Sequence, residues 1–144
     1  MAVRRIIEQQ KYQQTGGATE VYSDFLQSFL PHPTTGNITR KVDVESVKMA
    51  IRNLLLTNKY ERLKNPTFGT NIRRHLFDLF TETVADDLKN DIRIAIENNE
   101  PRVRIIELNV TPNEDQNQML VSLLFSVITN QEPQELELTL YRVR

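Results

Sequence analysis

A proline at position 101 divides the chain into two stretches whose apolar residues recur at different intervals. Before it, Val84, Leu88, Ile92, Ala95 and Ile96 are spaced by three and four, which predicts a helix running from about Thr83. Proline lacks the amide proton a helix needs and clashes with the preceding turn, so Pro101 ends that helix and pushes Glu100 towards extended backbone. Beyond it the period falls to two: Val103 and Ile105, then, one position out of phase, Ile106, Leu108 and Val110. The phase slip predicts a bulge in a strand that ends at Pro112. After a polar turn at Asn113 to Asn117, Met119, Val121, Leu123, Phe125 and Val127 alternate with Leu120, Ser122, Leu124, Ser126 and Ile128. Both faces are partly apolar, which suits a central strand. A turn over Gln131 to Gln134 then leads to Leu136, Leu138 and Leu140, alternating with Glu135, Glu137, Thr139 and Tyr141 on one wet face.

Upstream, Met1 to about Gly17 is polar, glutamine-rich and closed by Thr15-Gly16-Gly17, the pattern of an extended arm with a flexible joint. Val21 to Leu30 has helical spacing but is stopped by Pro31-His32-Pro33, so it is expected to dock as irregular structure before a turn at Thr34-Thr35-Gly36-Asn37. Asp43 reads as the N-cap of a helix with Val44, Val47, Ile51, Leu54 and Leu55 on one face, ending near Thr57. Asn58 to Phe68 is a polar loop or short hairpin, and Gly69 marks either a close backbone approach or a positive φ. A second helix is expected from about Thr70 with Ile72, Leu76, Leu79 and Phe80 inward. Helices first and a meander last make an α+β fold: three helices on a small C-terminal antiparallel or mixed sheet. An extended arm over residues 1–20 precedes a single domain over 21–144, since 144 residues are too few to divide comfortably.

Composition removes whole classes of chemistry. With no cysteine and only His32 and His75, thiolate metal sites, disulfides and cysteine nucleophiles are excluded, and no metal or cofactor is expected. Eighteen basic against nineteen acidic residues give a net charge of −1, so no global field favours nucleic acid or an anionic membrane. No apolar run approaches a bilayer span, Leu123 to Phe125 being as long as any. A Gly-x-Ser-x-Gly elbow and a glycine-rich phosphate loop are both missing. Glycoside hydrolysis needs two opposed carboxyls, yet Asp86, Asp87 and Asp91 lie within one helix and Glu97 and Glu100 near a helix end, where Asp86 and Asp87 suit the helix dipole and the others read as solvated charges. Arg62, Lys64, Arg73 and Arg74 could form a basic patch near Phe68, for which ion pairs to protein carboxylates fit a neutral chain better than nucleic acid does. At the helix-to-strand corner, Glu100-Pro101-Arg102 sets an acid and a base on a rigid proline. Arg102 could there grip a partner's carboxylate bidentately or clasp Glu100 within the chain.

That corner carries a resemblance. Asn99-Glu100-Pro101-Arg102 followed by a strand, with Phe125-Ser126-Val127-Ile128, Tyr22-Ser23-Asp24, Phe68-Gly69 and Leu76-Phe77 in matching order, resembles the small baseplate wedge proteins of contractile-tailed, T4-like phages, a family often labelled tail lysozyme. The resemblance runs from about Tyr22 to Arg144. It implies a non-catalytic virion subunit, made in the host cytoplasm and present in several copies in a sixfold baseplate. Its implied partners are other wedge proteins, the tail sheath and tail tube or hub proteins, with no nucleic acid or membrane. It further implies that the subunit links the wedge core to the tube region and starts the sheath by strand exchange. Glu100, Pro101 and Arg102 would then face the helical core of larger wedge subunits in intermolecular ion pairs, and the Leu136, Leu138 and Leu140 strand would accept a neighbour's strand. Related injection and type VI secretion machines are an alternative setting, and a muralytic glycosidase the competing class. Two departures stand out: Tyr60 occupies the place before Glu61-Arg62 where relatives carry glycine, and the arm through Gly17 has no counterpart.

Overall fold

In a computed structural model, which describes residues 21–142 apart from Gln27 and Glu114, the chain changes from helix to sheet across Pro101. The arm read for residues 1–20 lies outside the described residues. In chain order the elements are β1 (Ser23–Phe25), β2 (Arg40–Val42), α1 (Asp43–Leu56), α2 (Ile72–His75), α3 (Glu82–Asn99), β3 (Val103–Asn113), β4 (Gln118–Val127) and β5 (Asn130–Tyr141). The C-terminal strands form a sheet of order β3-β4-β5, antiparallel throughout, so of the antiparallel and mixed forms the first is adopted. β4 is central, as its two partly apolar faces predict.

One face of this sheet and the apolar stripes of α1 and α3 make a single core. Met119, Val121, Leu123, Phe125 and Val127 of β4 join Leu108 of β3 and Leu138 and Leu140 of β5. Val47, Ile51, Leu54 and Leu55 of α1 meet them together with Leu88, Ile92 and Ile96 of α3. Burying one such aliphatic side chain contributes about 1.5–3 kcal/mol, so these two stripes, far more than helix propensity, hold the helices in place. The bulge falls where the phase slips, between Ile105 and Glu107, and Ile106 is turned out to solvent there.

Four expectations are corrected. β1 and β2 pair antiparallel, Asp24 opposite Lys41, where irregular structure was expected. Strands of three residues are too short to display a period. Asp43 does not cap α1. Val42 holds the cap position with no side-chain bond, while Asp43 sits at φ 47° and its Oδ1 accepts from the amides of Val21 (3.0 Å) and Tyr22 (3.3 Å). Aspartate tolerates that backbone better than most residues, and here it tethers the chain leading into β1. The second helix is a single turn, Ile72–His75. Tight turns then follow, from Phe77 to Arg74 and from Asp78 to His75, which keep Ile72, Leu76 and Phe80 buried but swing Leu79 outward. The expected turn at Gln131 to Gln134 lies inside β5: the hairpin turns at Ile128 and Thr129, and Gln131 and Glu132 form a bulge before Pro133. Proline is tolerated there because β5 is an edge strand. Of the two forms read for Asn58 to Phe68, the loop is adopted, and Asn58 makes a parallel bridge to Thr70.

Gly69 meets both conditions read for it. Its φ is 115°, and a Cβ placed there would stand 2.5 Å from the Thr57 carbonyl oxygen. Gly69→Ala is therefore expected to destabilise the fold by about 2–4 kcal/mol, measured by urea unfolding, through strained backbone plus an unavoidable clash with a neighbouring main chain. A loss under about 0.5 kcal/mol would mean that the loop moves freely off α1.

Candidate functional site

The corner between α3 and β3 is built by the end of a helix that cannot continue. The Glu100 amide still donates to Ile96 O (2.8 Å), and Asn99 Nδ2 satisfies Ala95 O (2.9 Å). Pro101 then breaks the ladder, the Val103 amide returns to Glu100 O, and the Ile128 amide bonds Arg102 O, tying the corner to the far end of β4. This leaves the Glu100 side chain almost fully buried. A buried carboxylate needs a charged partner and full hydrogen bonding. Arg102 supplies both: its Nε donates to Oε1 (2.5 Å) and its Nη2 to Oε2 (2.8 Å), a fork on both carboxylate oxygens. That bond to Glu100 is the largest cause raising the guanidinium's pKa above its ordinary value, with partial burial opposing it. The same guanidinium stands 5.0 Å from the Tyr22 ring centroid. Tyr22 is in turn held by Asp43, its carbonyl accepting from the Asp43 amide (2.7 Å).

Within the chain, Glu100 and Arg102 pair with each other, the clasp weighed for this corner. The pair uses two of the guanidinium's five N–H donors, and about a third of the Arg102 side chain stays exposed. Leu138 and Leu140 are buried and Leu136 packs on the same core, opposite Val121, Met119 and Leu123. What β5 presents outward is its backbone edge, and not these leucines. Tyr22 and Asp43 were not read as corner residues, though Tyr22 lies in the Tyr22-Ser23-Asp24 match; nothing in the local pattern joins Asp43 to it.

The groups weighed for catalysis are either bonded to structural partners or exposed along α3. His75 Nε2 bonds Asp91 Oδ2 at 3.0 Å between α2 and α3, and His32 Nδ1 accepts from the Thr34 amide at 3.2 Å. Asp86, Asp87 and Glu97 lie exposed along α3, and Glu100 is clasped. Among the described residues no three His, Asp or Glu side chains converge to hold a metal. A cleft of about 400 Å³ opens between the loop after α1 and α3, lined by Lys59, Tyr60, Thr67, Ile94, Asn98 and Asn99 among others, and no carboxylate lines it. Of the basic residues, Arg62 stacks on Phe68 at 4.0 Å. Among the described residues none of Arg62, Lys64, Arg73 and Arg74 makes an ion pair.

Comparison with known proteins gives a consistent result. Residues 41–132 match the family model described as "Baseplate wedge protein gp25". The chain is 32% identical over 101 residues to baseplate wedge protein gp25 of Enterobacteria phage T4, covering 70% of this chain and 75% of that protein. In structure it is similar to a Geobacter sulfurreducens protein provisionally described as a tail lysozyme. The TM-score there is 0.64 at 24% identity, covering 69% of this chain and 91% of that one. It is also similar to a chain of the sixfold-symmetrised anti-feeding prophage baseplate, with a TM-score of 0.58 at 18% identity over 85% and 86% of the two chains. At these identities the two structures support the fold alone.

Removing Arg102 strands a buried carboxylate. Arg102→Ala is expected to lower stability by about 2 kcal/mol, less than a fully buried pair because the arginine side is part-exposed. Arg102→Lys should recover only part of that, since an ammonium cannot grip both oxygens. A double-mutant cycle with Glu100→Gln, read by urea unfolding, should show coupling of about 1–3 kcal/mol, and coupling near zero would show that the clasp does not hold the corner.

Proposed function

The chain belongs to the baseplate wedge protein gp25 family, and from that membership we propose that it is a non-catalytic structural subunit of a contractile phage tail baseplate or a related contractile machine. It works by joining other baseplate proteins, linking the wedge core to the tube region and giving the sheath its first point of attachment. Assembly takes place in the host cytoplasm and the finished subunit resides in the virion baseplate, in several copies around a sixfold axis.

The observation that carries this reading is the edge of β5. β5 spans Asn130–Tyr141, all but Gln131 and Glu132 in register with β4, and among the described residues no strand pairs with its other side. An edge this long presents a row of unpaired backbone donors and acceptors, which natural proteins cover, shorten or distort. Here the first part is distorted by the bulge and Pro133, while the stretch from Gln134 onward stays regular. A strand added to that stretch completes the ladder without disturbing Leu136, Leu138 and Leu140, whose side chains already belong to the core. Strand addition at this edge is how we read sheath initiation.

The corner fits a second contact. Arg102 spends two of its five N–H donors on Glu100, so a partner approaching the corner meets a part-exposed guanidinium with free donors beside a rigid proline, its charge offset by the buried carboxylate. We assign Glu100, Pro101 and Arg102 to the contact with the larger wedge subunits, with Arg102 reaching a partner carboxylate while Glu100 fixes its direction. Against the glycosidase alternative, the carboxylates considered for it are clasped, bonded to His75, or spread along the exposed face of α3.

Hydrogen exchange separates these possibilities. In the isolated chain every second amide from Gln134 to Tyr141, those not bonded to β4, is expected to exchange rapidly, and in assembled baseplates to become protected by at least tenfold. The strand-addition reading fails if those amides exchange equally fast before and after assembly. Independently, Arg102→Lys, which keeps the charge but not the fork, should fold and yet assemble poorly. Full assembly of that variant would remove the corner from the interface.

A further inference from the structure

Tyr60 stands at φ 68°, a backbone region that costs a non-glycine residue about 1 kcal/mol or more, and it is 81% exposed. The turn that imposes this is well built. The Tyr60 amide bonds Pro66 O (2.8 Å), the Lys59 amide bonds Thr70 O (3.1 Å), and Glu61 Oε2 accepts from the Asn58 amide (2.9 Å). An exposed aromatic in a strained turn returns nothing to the core. Around it the loop carries Lys59, Arg62 and Lys64 against the single carboxylate of Glu61, which already serves the Asn58 turn. None of the three cations has an ion-pair partner among the described residues, in a chain whose overall charge is −1. Arg62 is pre-ordered over Phe68, and Leu63 is fully exposed. Beside them opens the cleft of about 400 Å³, walled by Tyr60, Ile94 and the amides of Asn98 and Asn99.

We propose that this loop and the adjoining face of α3 form a docking surface for an acidic segment of a partner protein, with an apolar side chain of that segment seated in the cleft. Charge complementarity selects the acidic class: three cations on an ordered turn attract carboxylates, and among the described residues none pairs with them. The cleft selects a polypeptide, because its wall joins apolar surface from Ile94 and Tyr60 to two asparagine amides that can both donate to and accept from a peptide backbone. Tyrosine and arginine at an exposed, preorganised surface are the residue types that carry binding energy. This surface involves neither the β5 edge nor the Glu100-Pro101-Arg102 corner, so it stands or falls apart from the function proposed above.

The test uses the full chain titrated with a synthetic peptide of alternating glutamate and leucine, its lysine-leucine counterpart, and a single-stranded oligonucleotide of equal negative charge, followed by amide NMR. The acidic peptide is expected to shift resonances of residues 59–69 together with Asn98 and Asn99. Lys64→Glu, which breaks no contact seen in the fold, should weaken its binding roughly tenfold. Tyr60→Gly gives the decisive contrast: relieving the strain should raise the melting temperature while binding still weakens by at least roughly tenfold. Tighter binding of the oligonucleotide, shifts located elsewhere, no binding of the acidic peptide, or a Tyr60→Gly chain that is more stable and binds as well would each overturn the proposal.

Discussion

Everything in this fold is referred to one junction, the place where α3 stops and β3 begins. Pro101 forbids another helical turn, and the buried Glu100 carboxylate can exist there only because Arg102 grips both of its oxygens. With the exit direction set, β3 runs back along α3, the hairpins place β4 and β5 beside it, and one sheet face meets the stripes of α1 and α3. The N-terminal ribbon is anchored to the same point through Tyr22, which lies near Arg102 and is bonded to Asp43. A two-stranded ribbon of three-residue strands has little stability of its own, so these ties keep it in place.

The division of labour between side chains and backbone follows. The alternating leucines of β5 face inward and hold the strand to the core, and its outer edge is left to the backbone. An edge supported in this way would offer the proposed strand repetitive, sequence-tolerant hydrogen bonds on a rigid base. On the proposed function, specific recognition would fall to other surfaces: the Arg102 corner, where charge and direction are both fixed, and the strained, cationic loop around Tyr60. Both lie at the ends of elements whose own packing is complete.

The long apolar patterns could be read directly. The α3 stripe, the stop at Pro101, the slip at Ile105 and Ile106, and the central place of β4 are local consequences of side-chain size and period. Their structural counterparts fall at α3's end, at the bulge and in the β3-β4-β5 order. Short elements were opaque because a three-residue strand or a single helical turn shows no period. Gln131 to Gln134 was misplaced because its polar composition suits a turn and an edge-strand bulge equally well. Glycine 69 was legible as a demand for something only glycine satisfies, while the loop it closes onto Thr57 was not.

The sequence by itself determined the fold class, the position of the helix-to-sheet switch and the absence of thiol chemistry, since each depends on residue type or on neighbours within a few positions. Tertiary structure alone decided where the charges went. It closed Glu100 and Arg102 on each other, set Asp43 to tether Tyr22 instead of capping α1, and paired His75 with Asp91 across two helices. Among the described residues it also gave the cations of the Tyr60 loop no ion-pair partner. The physical reason is range: burial patterns repeat along one element and can be counted, whereas an ion pair is chosen by which groups the packed elements bring within a few ångströms.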